Sequence, residues 1–316
     1  MTILVLAAIA AVAAPWLAPN PPDQRFGDSL YAPPTRPHVG AGGLYIYPQR
    51  LVSRLERRFD DDRQHPAPLQ WLRDGRLLTL EPGRGGPLLL LGADSLGRDI
   101  FARLLYGARA SLALAFLSAL AALAIGALVG GVAGYAGGLI DDLLSRFTDF
   151  VLILPAIYVA LSLRAVMPLV LGPGTVFLLL TTIFALLGWP IVARGVRAIV
   201  ASERERDYAA AAQANGADGW RILTRHLLPA TYRFLATQAT LLLPAFILAE
   251  ATLSYVGLGF PDAVPTWGTM LQEASNVSLV GAAPWMLAPA AAIFLVVLAV
   301  NLLVQGSGRT PVQLEP

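Results

Sequence analysis

Residue types that carry enzyme chemistry are scarce in this 316-residue sequence. All 23 residues counted as Lys or Arg are Arg, so the chain lacks the lysine of a Walker A motif and any Schiff-base lysine. It contains no Cys, which excludes disulfides and thiolate nucleophiles. The three His (His38, His65 and His226) do not have the spacing of metal ligands. The sequence therefore excludes a P-loop ATPase and argues against metal catalysis.

Two acidic features could still contact a ligand. Asp60, Asp61 and Asp62 form a run, but it lacks the spaced Asp, Asn, Gly and Glu of a calcium loop, so we interpret it as a solvated loop. Glu250 lies in an apolar segment, and an ionisable residue is expensive in hydrocarbon, so it should face the interior of a helix bundle. It could be a gate or path contact, or a hydrogen-bond or ion-pair partner between helices. The sequence leaves both roles open.

The composition is that of a polytopic membrane protein. Hydrophobic residues make up 56% of the chain and charged residues only 14%, with a mean hydropathy of +0.60. The net charge of +2 is small, so arginines next to the membrane explain the isoelectric point of about 9.1 more simply than nucleic-acid binding does. We expect contact with membrane lipid and none with nucleic acid.

The apolar segments predict an all-α protein with six transmembrane helices. The predicted spans are residues 3–18, 111–135, 150–166, 176–200, 234–256 and 285–304. The first is short, and a cleaved signal peptide is its alternative, but we favour a span within residues 1–18. Gly126, Gly130, Gly134 and Gly138 recur every four residues, which predicts a flat face for close helix packing. Pro155 and Pro190 predict bends within spans.

Residues 19–90 are polar and contain no window long enough to cross a bilayer, so we predict a small α+β insert outside the cytoplasm. Leu51, Leu55 and Phe59 have the spacing of a short amphipathic helix. Residues 71–83 predict a β-hairpin that turns at Asp74 and Gly75. After the insert, Asp94 or Ser95 could cap a helix with Arg98, Arg103 and Arg109 on its polar face, lying along the membrane surface.

A polar segment, Ser202 to Pro229, separates two apolar ones and predicts two short helices joined by a glycine turn. We call this segment the elbow. Ser202 and Glu205 have capping-box spacing, so a helix should begin at Glu203 and end near Asn215 and Gly216. Asp218 should cap a second helix that Pro229 ends. The alternative is an ordinary amphipathic loop between helices.

The elbow resembles the cytoplasmic loop of ABC-importer permeases, whose pattern is Glu-Ala-Ala, three residues, Gly, nine residues, Ile, one residue, Leu-Pro. The positions that fit are Ala211, Ala212, Gly216, Leu228 and Pro229, while Ala210 and His226 stand at the Glu and Ile positions. The Arg-His-Leu-Leu-Pro ending is similar to the dipeptide, oligopeptide and nickel branch. Residues 91–112 resemble the same branch, as do Glu250, Ser254, Gly257, Gly259, Trp267 and Gly268.

This resemblance implies a C-type membrane subunit with the type I permease fold and a core at residues 91–306. It implies that the elbow fits a groove on a separate ATPase subunit. It also implies two such subunits as partners, which bind ATP and Mg, so this chain needs no cofactor. The implied coupling residues are Ala209, Ala210, Ala211, Ala212, Gly216, Ala217, Leu228 and Pro229. Glu250 and Ser254 become candidates for the translocation path or its gate. The further implied partners are a second homologous permease subunit and a periplasmic substrate-binding protein.

Charge gives the expected topology in a bacterial inner membrane. Seven Arg from Arg194 to Arg233 predict a cytoplasmic elbow, and six spans then place both termini, including the tail 307–316, in the cytoplasm. A secondary transporter coupled to ions through Glu250 and a membrane-embedded enzyme are the alternatives. Peptides, nickel, opines, glycosides and antibiotic peptides all remain open as cargo.

Overall fold

The computed structural model describes residues 2–40, 43–54, 56–73, 75–80, 85–166, 168, 171–275 and 281–307. The chain divides into two compact units. The first comprises Met1–Leu112 and Ala251–Ala299, and the second comprises Ala113–Glu250 and Val300–Pro316. The predicted tail at 307–316 lies outside the described residues except for Ser307.

The chain begins with two short helices, α1 (Thr2–Val12) and α2 (Ala14–Leu17), of 11 and 4 residues. Neither alone has the roughly 20 residues that a transmembrane helix needs. Ala14 and Ala18 are buried against Ala102 and Leu105, so this segment packs on the start of a longer helix. The prediction that residues 3–18 span the membrane is not confirmed.

The polar insert is built mainly of β-strands. The strands are β1 (His38–Gly40), β2 (Gly43–Ile46), β3 (Gln49–Ser53), β4 (Arg58–Asp61), β5 (Ala67–Arg73) and β6 (Arg76–Leu80). One antiparallel sheet has the order β1-β2-β5-β6, and β3 pairs with β4 alone. Ile46, Ala67, Leu69 and Leu88 form a buried apolar cluster on the larger sheet.

The predicted helix over residues 51–59 is wrong, because this segment is the β3–β4 hairpin. Leu51 and Phe59 are cross-strand partners, so the chain reversal brings together two apolar side chains that a helix would have placed on one face. Leu55 lies outside the described residues. The second predicted hairpin is confirmed: β5 and β6 pair Trp71 with Leu78, and Gly75 has a φ of +73° in the turn. Asp74 and residues 81–83 lie outside the described part of the chain.

One helix, α3 (Ile100–Ala136), replaces the surface helix and the separate second span that the sequence predicted. Its 37 residues are continuous because no Pro interrupts residues 100–136. Neither Asp94 nor Ser95 caps it. Asp99 does, because one carboxylate oxygen accepts hydrogen bonds from the N–H groups of Phe101 and Ala102 at 2.9 and 3.3 Å. Burial raises the pKa of Asp99 to about 6.

The other long helices follow the apolar pattern. They are α6 (Pro173–Arg204), α9 (Tyr232–Tyr255) and α11 (Ala288–Ser307). The predicted span 176–200 lies within α6, the span 234–256 extends one residue beyond α9, and the span 285–304 begins in the 3₁₀ turn that precedes α11. Two shorter helices, α4 (Gly138–Ile153) and α5 (Ala156–Val166), meet at the predicted bend near Pro155, at an angle of 83°. Pro190 lies inside α6.

Among the described residues, four helices are long and apolar enough to cross a membrane, or five if α4 and α5 together form one bent span. The helical membrane-protein class is therefore confirmed. The count of six is not, because the sixth depends on the short helices α1 and α2.

The glycine stripe on α3 is confirmed at three of its four positions. A Cβ atom would lie 2.5 Å from Val192 at Gly126, 2.3 Å from the carbonyl oxygen of Ala193 at Gly130, and 2.6 Å from that of Arg197 at Gly134. Each contact is with α6, so only glycine permits this approach of the two backbones. The prediction is wrong at Gly138, which begins α4 and has open space where a Cβ would be.

Candidate functional site

The elbow consists of two short helices, as predicted, but its first helix begins later. Ser202 lies in the last turn of α6, and the next helix, α7 (Asp207–Ala214), begins at Asp207. The predicted capping box is therefore wrong. The helical run from Pro173 continues through Ser202, and Glu205 is the residue that ends it.

The turn between the two helices has the geometry that the sequence predicted. Gly216 has a φ of +80° and donates its N–H to Gln213 O at 3.0 Å, while the Ala217 N–H reaches Ala212 O at 3.1 Å. These two bonds are the Schellman pattern at a helix C-terminus. Asp218 then caps α8 (Gly219–Ile222) by accepting the Arg221 N–H at 2.8 Å. Two local motifs thus set the bend of the elbow.

The second elbow helix does not end at Pro229, contrary to the prediction. A π-helical turn (Leu223–Leu227) and a 3₁₀ turn (Leu228–Thr231) connect α8 to α9. Pro229 lies at the start of the 3₁₀ turn, where the backbone changes from π-helical to 3₁₀ geometry. The elbow is therefore connected without interruption to a membrane-spanning helix.

Apolar residues hold the elbow against the end of α3. Ile222, Leu223 and Leu227 are buried. At Gly219 a Cβ would lie 2.9 Å from the Tyr135 hydroxyl, and Arg204 donates to the Tyr135 carbonyl oxygen at 2.9 Å. Close packing on both sides of Tyr135 leaves the elbow little freedom to move independently of α3.

The other side of the elbow is exposed and combines small residues with aromatic ones. Ala210, Ala211, Gly216 and Pro229 are exposed, whereas Ala209 is buried and Ala212, Ala217 and Leu228 are half-buried. Trp220 is 60% exposed. Small side chains permit the close approach of a partner, and exposed aromatic rings are frequent in protein interfaces.

Glu250 and Ser254 are both buried, Glu250 completely. Glu250 belongs to the second unit and Ser254 to the first. Ser254 packs against Gly259, where a Cβ would lie 2.0 Å from the serine hydroxyl oxygen. A path or gate role for these two residues stays a prediction.

The sequence analysis missed a charge cluster in the first unit, in which Arg98, Arg103 and Asp94 are buried, Glu273 is half-buried and Asp262 is exposed. Arg98 donates through Nε to Asp94 at 2.6 Å, through Nη1 to Asp262 at 2.9 Å and through Nη2 to Glu273 at 3.4 Å. Arg103 lies beside it, 3.7 Å from Asp94. The Ser95 N–H also donates to Glu273 at 2.8 Å. The cluster joins residues 94–103 to the segment that ends in α10 (Trp267–Glu273).

Charge pairing outweighs desolvation at Arg98 and Asp262, but not at Arg103 or Glu273. Burial alone would lower the pKa of Arg98, but its bonds to Asp262 and Asp94 outweigh this and raise it. For Asp262, burial is likewise outweighed by Arg98, and its pKa falls. Burial, together with Asp94, raises the pKa of Glu273. The one sequence signal for this cluster was that two segments that resemble the permease branch, residues 91–112 and 250–268, contain charged residues.

Comparison with known proteins decides the family. Residues 122–309 match the family model described as binding-protein-dependent transport system inner membrane component. The di/tripeptide transport system permease protein DppC of Pseudomonas aeruginosa is 31% identical over 97% of this chain and 84% of its own length. The chain belongs to this family. It is a multi-pass inner-membrane permease rather than an enzyme, and the secondary-transporter alternative finds no support.

A second relative gives the same assignment. The dipeptide transport system permease protein DppC of Alkalihalophilus pseudofirmus is 39% identical over 216 residues, which is 68% of each chain. A structure of the MetNI methionine ABC transporter in inward-facing conformations aligns with 65% of this permease and 96% of the matched chain, at 21% identity and a TM-score of 0.48.

Proposed function

We propose that this permease forms half of the translocation path of an ATP-driven peptide importer. The observation that carries the proposal is the family match over residues 122–309, which includes the elbow. Peptide as the cargo rests on relatives named for dipeptide and di/tripeptide transport. A second homologous permease subunit completes the path, and a periplasmic binding protein delivers the peptide.

Two partner ATPase subunits hold ATP and Mg, and the elbow docks on one of them and transmits the conformational change that ATP hydrolysis drives. Its exposed face at Ala210, Ala211 and Gly216 docks in the ATPase, and its buried face moves α3 and α9. Two features support this role: the elbow packs on Tyr135 of α3, and it is helical through to α9. A rigid connection of this kind can convert ATPase closure into a helix movement.

Six spans, with both termini in the cytoplasm and the insert outside, complete the proposal. A reporter active only in the cytoplasm should be active when fused at Gly216 and silent when fused at Gly75. The seven arginines from Arg194 to Arg233 give the physical reason, since Arg in short loops and near the ends of spans stays inside. Activity at Gly75 with silence at Gly216 would reverse the proposed orientation.

Transport by the assembled complex tests the cargo and the energy source. Proteoliposomes containing this chain, its partner permease and both ATPases should take up a labelled dipeptide when ATP and the binding protein are supplied. Collapsing the proton gradient should leave uptake unchanged, because ATP alone drives the cycle. Unlabelled dipeptides should compete, whereas nickel or a glycoside should not. Uptake that needs a proton gradient but not ATP would contradict the proposal.

A further inference from the structure

A cleft in the insert has the size of a small-molecule site. Its volume is about 770 Å³, and its walls come from residues 33–38, the ends of β3 and β4, and Trp285. Sites for small ligands in proteins measure roughly 300–1,000 Å³. All of these residues belong to the first unit. The cleft is formed by the strands that make the insert, and the elbow plays no part in it.

The floor of the cleft is aromatic. His38 and Tyr47 contact each other edge to face, with ring centroids 5.1 Å apart, and Phe59 and Trp285 also line the space. Pro33 and Pro34 add a rigid wall. Flat aromatic surfaces of this kind accept the apolar side chains and amide planes of a ligand.

The rim carries charges of both signs that the fold leaves unpaired. Arg36, Arg63 and Asp61 line the cleft and are exposed, and none of the three forms an ion pair within the described part of the chain. In contrast, Asp62 next to them pairs with Arg50 at 3.2 Å. Asp60 also lines the cleft and lies 3.9 Å from Arg58, so the cleft offers two cations and two anions to a ligand.

Two polar atoms in the cleft walls also lack partners. The Oε1 atom of Gln49 and the Nδ1 atom of His38 are buried and form no hydrogen bond in the described structure. A buried polar atom without a partner costs free energy. The side-chain amide nitrogen of Gln49 donates to the Pro34 carbonyl oxygen at 3.5 Å. The Oε1 atom of the same amide is the hydrogen-bond acceptor that has no partner.

We propose that this cleft binds a short peptide with free termini, outside the membrane path. Its carboxylate contacts Arg36 and Arg63, since guanidinium groups hold carboxylates by charge-assisted hydrogen bonds. Its ammonium group contacts Asp61, and a side chain lies on the aromatic floor. The ligand class and the side of the membrane rest on the proposed function.

The position of Trp285 connects the cleft to the membrane segment. Its indole N–H donates to the Ala93 carbonyl oxygen at 3.1 Å, and it lies in the 3₁₀ turn Pro284–Leu287, which leads into α11. Gly92 packs so closely on this ring that a Cβ would lie 2.8 Å from it. A peptide in the cleft thus contacts a side chain fixed at the entrance to a span.

Binding to the purified full-length permease tests the inference without transport. The dipeptide Ala-Phe should bind saturably by isothermal titration, while its N-acetylated, C-amidated form should not. Asp61→Asn and Arg63→Gln should each weaken binding about tenfold or more, as expected for bonds to charged groups. Arg54→Gln is the matched control, because Arg54 and its partner Asp28 are both exposed and lie outside the cleft, and it should bind like the parent.

Negative results in these experiments distinguish the peptide site from the proposed function. Equal binding by Asp61→Asn, Arg63→Gln and the parent, or no saturable binding of Ala-Phe, would overturn the cleft as a peptide site even if transport proceeds. Capture of the binding protein by the insert without any binding of Ala-Phe would also overturn it. Peptide binding at the cleft in a complex that does not transport would leave the inference standing and refute the proposed function.

Discussion

Replacing Arg98 by Met should destabilise the permease by about 3–5 kcal/mol, which is the cost of removing one partner of a buried ion pair. Arg98 is the common partner of Asp94, Asp262 and Glu273, and its side chain is almost fully buried. The methionine preserves much of the length of the side chain, but it leaves the buried Asp94 carboxylate facing a neutral thioether. Thermal unfolding of the purified protein in detergent, followed by tryptophan fluorescence, measures the loss.

Arg146→Met is the matched control for this experiment. Arg146 pairs with Asp142 at 2.9 Å, but its side chain is 77% exposed. Surface pairs contribute about 0–1 kcal/mol, so this variant should unfold close to the parent. If Arg98→Met fails to fold, the double variant Asp94→Asn with Arg98→Met should recover part of the stability, since no charge is then left unpaired at position 94. Equal stability of the two single variants would contradict a structural role for the cluster.

Gly216→Val should uncouple ATP hydrolysis from uptake. Its φ of +80° strongly disfavours a β-branched residue, at a cost on the order of 1–3 kcal/mol. No heavy atom lies within 4 Å of the Cβ position, so the cost comes from the backbone and not from a clash. If the turn must keep its shape to dock, ATPase affinity should fall roughly 5- to 150-fold. Co-purification with the ATPases and uptake of the labelled dipeptide measure the effect.

Gly172→Val makes the same side-chain change at a permissive backbone. Gly172 has φ −64° and ψ 150°, a region that valine adopts readily, and its Cβ position is also open. This control should insert, assemble and transport like the parent. We also expect Ala210→Glu to transport, because it restores the residue of the family pattern at an exposed position. Normal docking and transport by Gly216→Val, at normal membrane levels, would refute the coupling role of the elbow.

Local sequence rules were sufficient for several elements because their causes lie within a few residues. The β5–β6 hairpin follows from a glycine turn between apolar runs, and the end of α7 follows from Gly216, the residue best suited to the positive φ of its turn. Asp218 caps α8 through its own side chain. The glycine stripe on α3 was also predictable, since helical periodicity places Gly126, Gly130 and Gly134 on one face.

Only the tertiary structure decided the rest. The apolar residues of segment 51–59 fit a helix or a hairpin equally well, and pairing between Leu51 and Phe59 selects the hairpin. Ser202 has the spacing of a helix start, but the preceding helix continues through it. Arg98 looked like a solvent-facing cation, yet it is buried and pairs with Asp262, 164 residues away. Contacts between residues so distant in sequence leave no local pattern. A charged residue that the sequence suggests is solvated can therefore be a buried ion-pair partner in the folded protein.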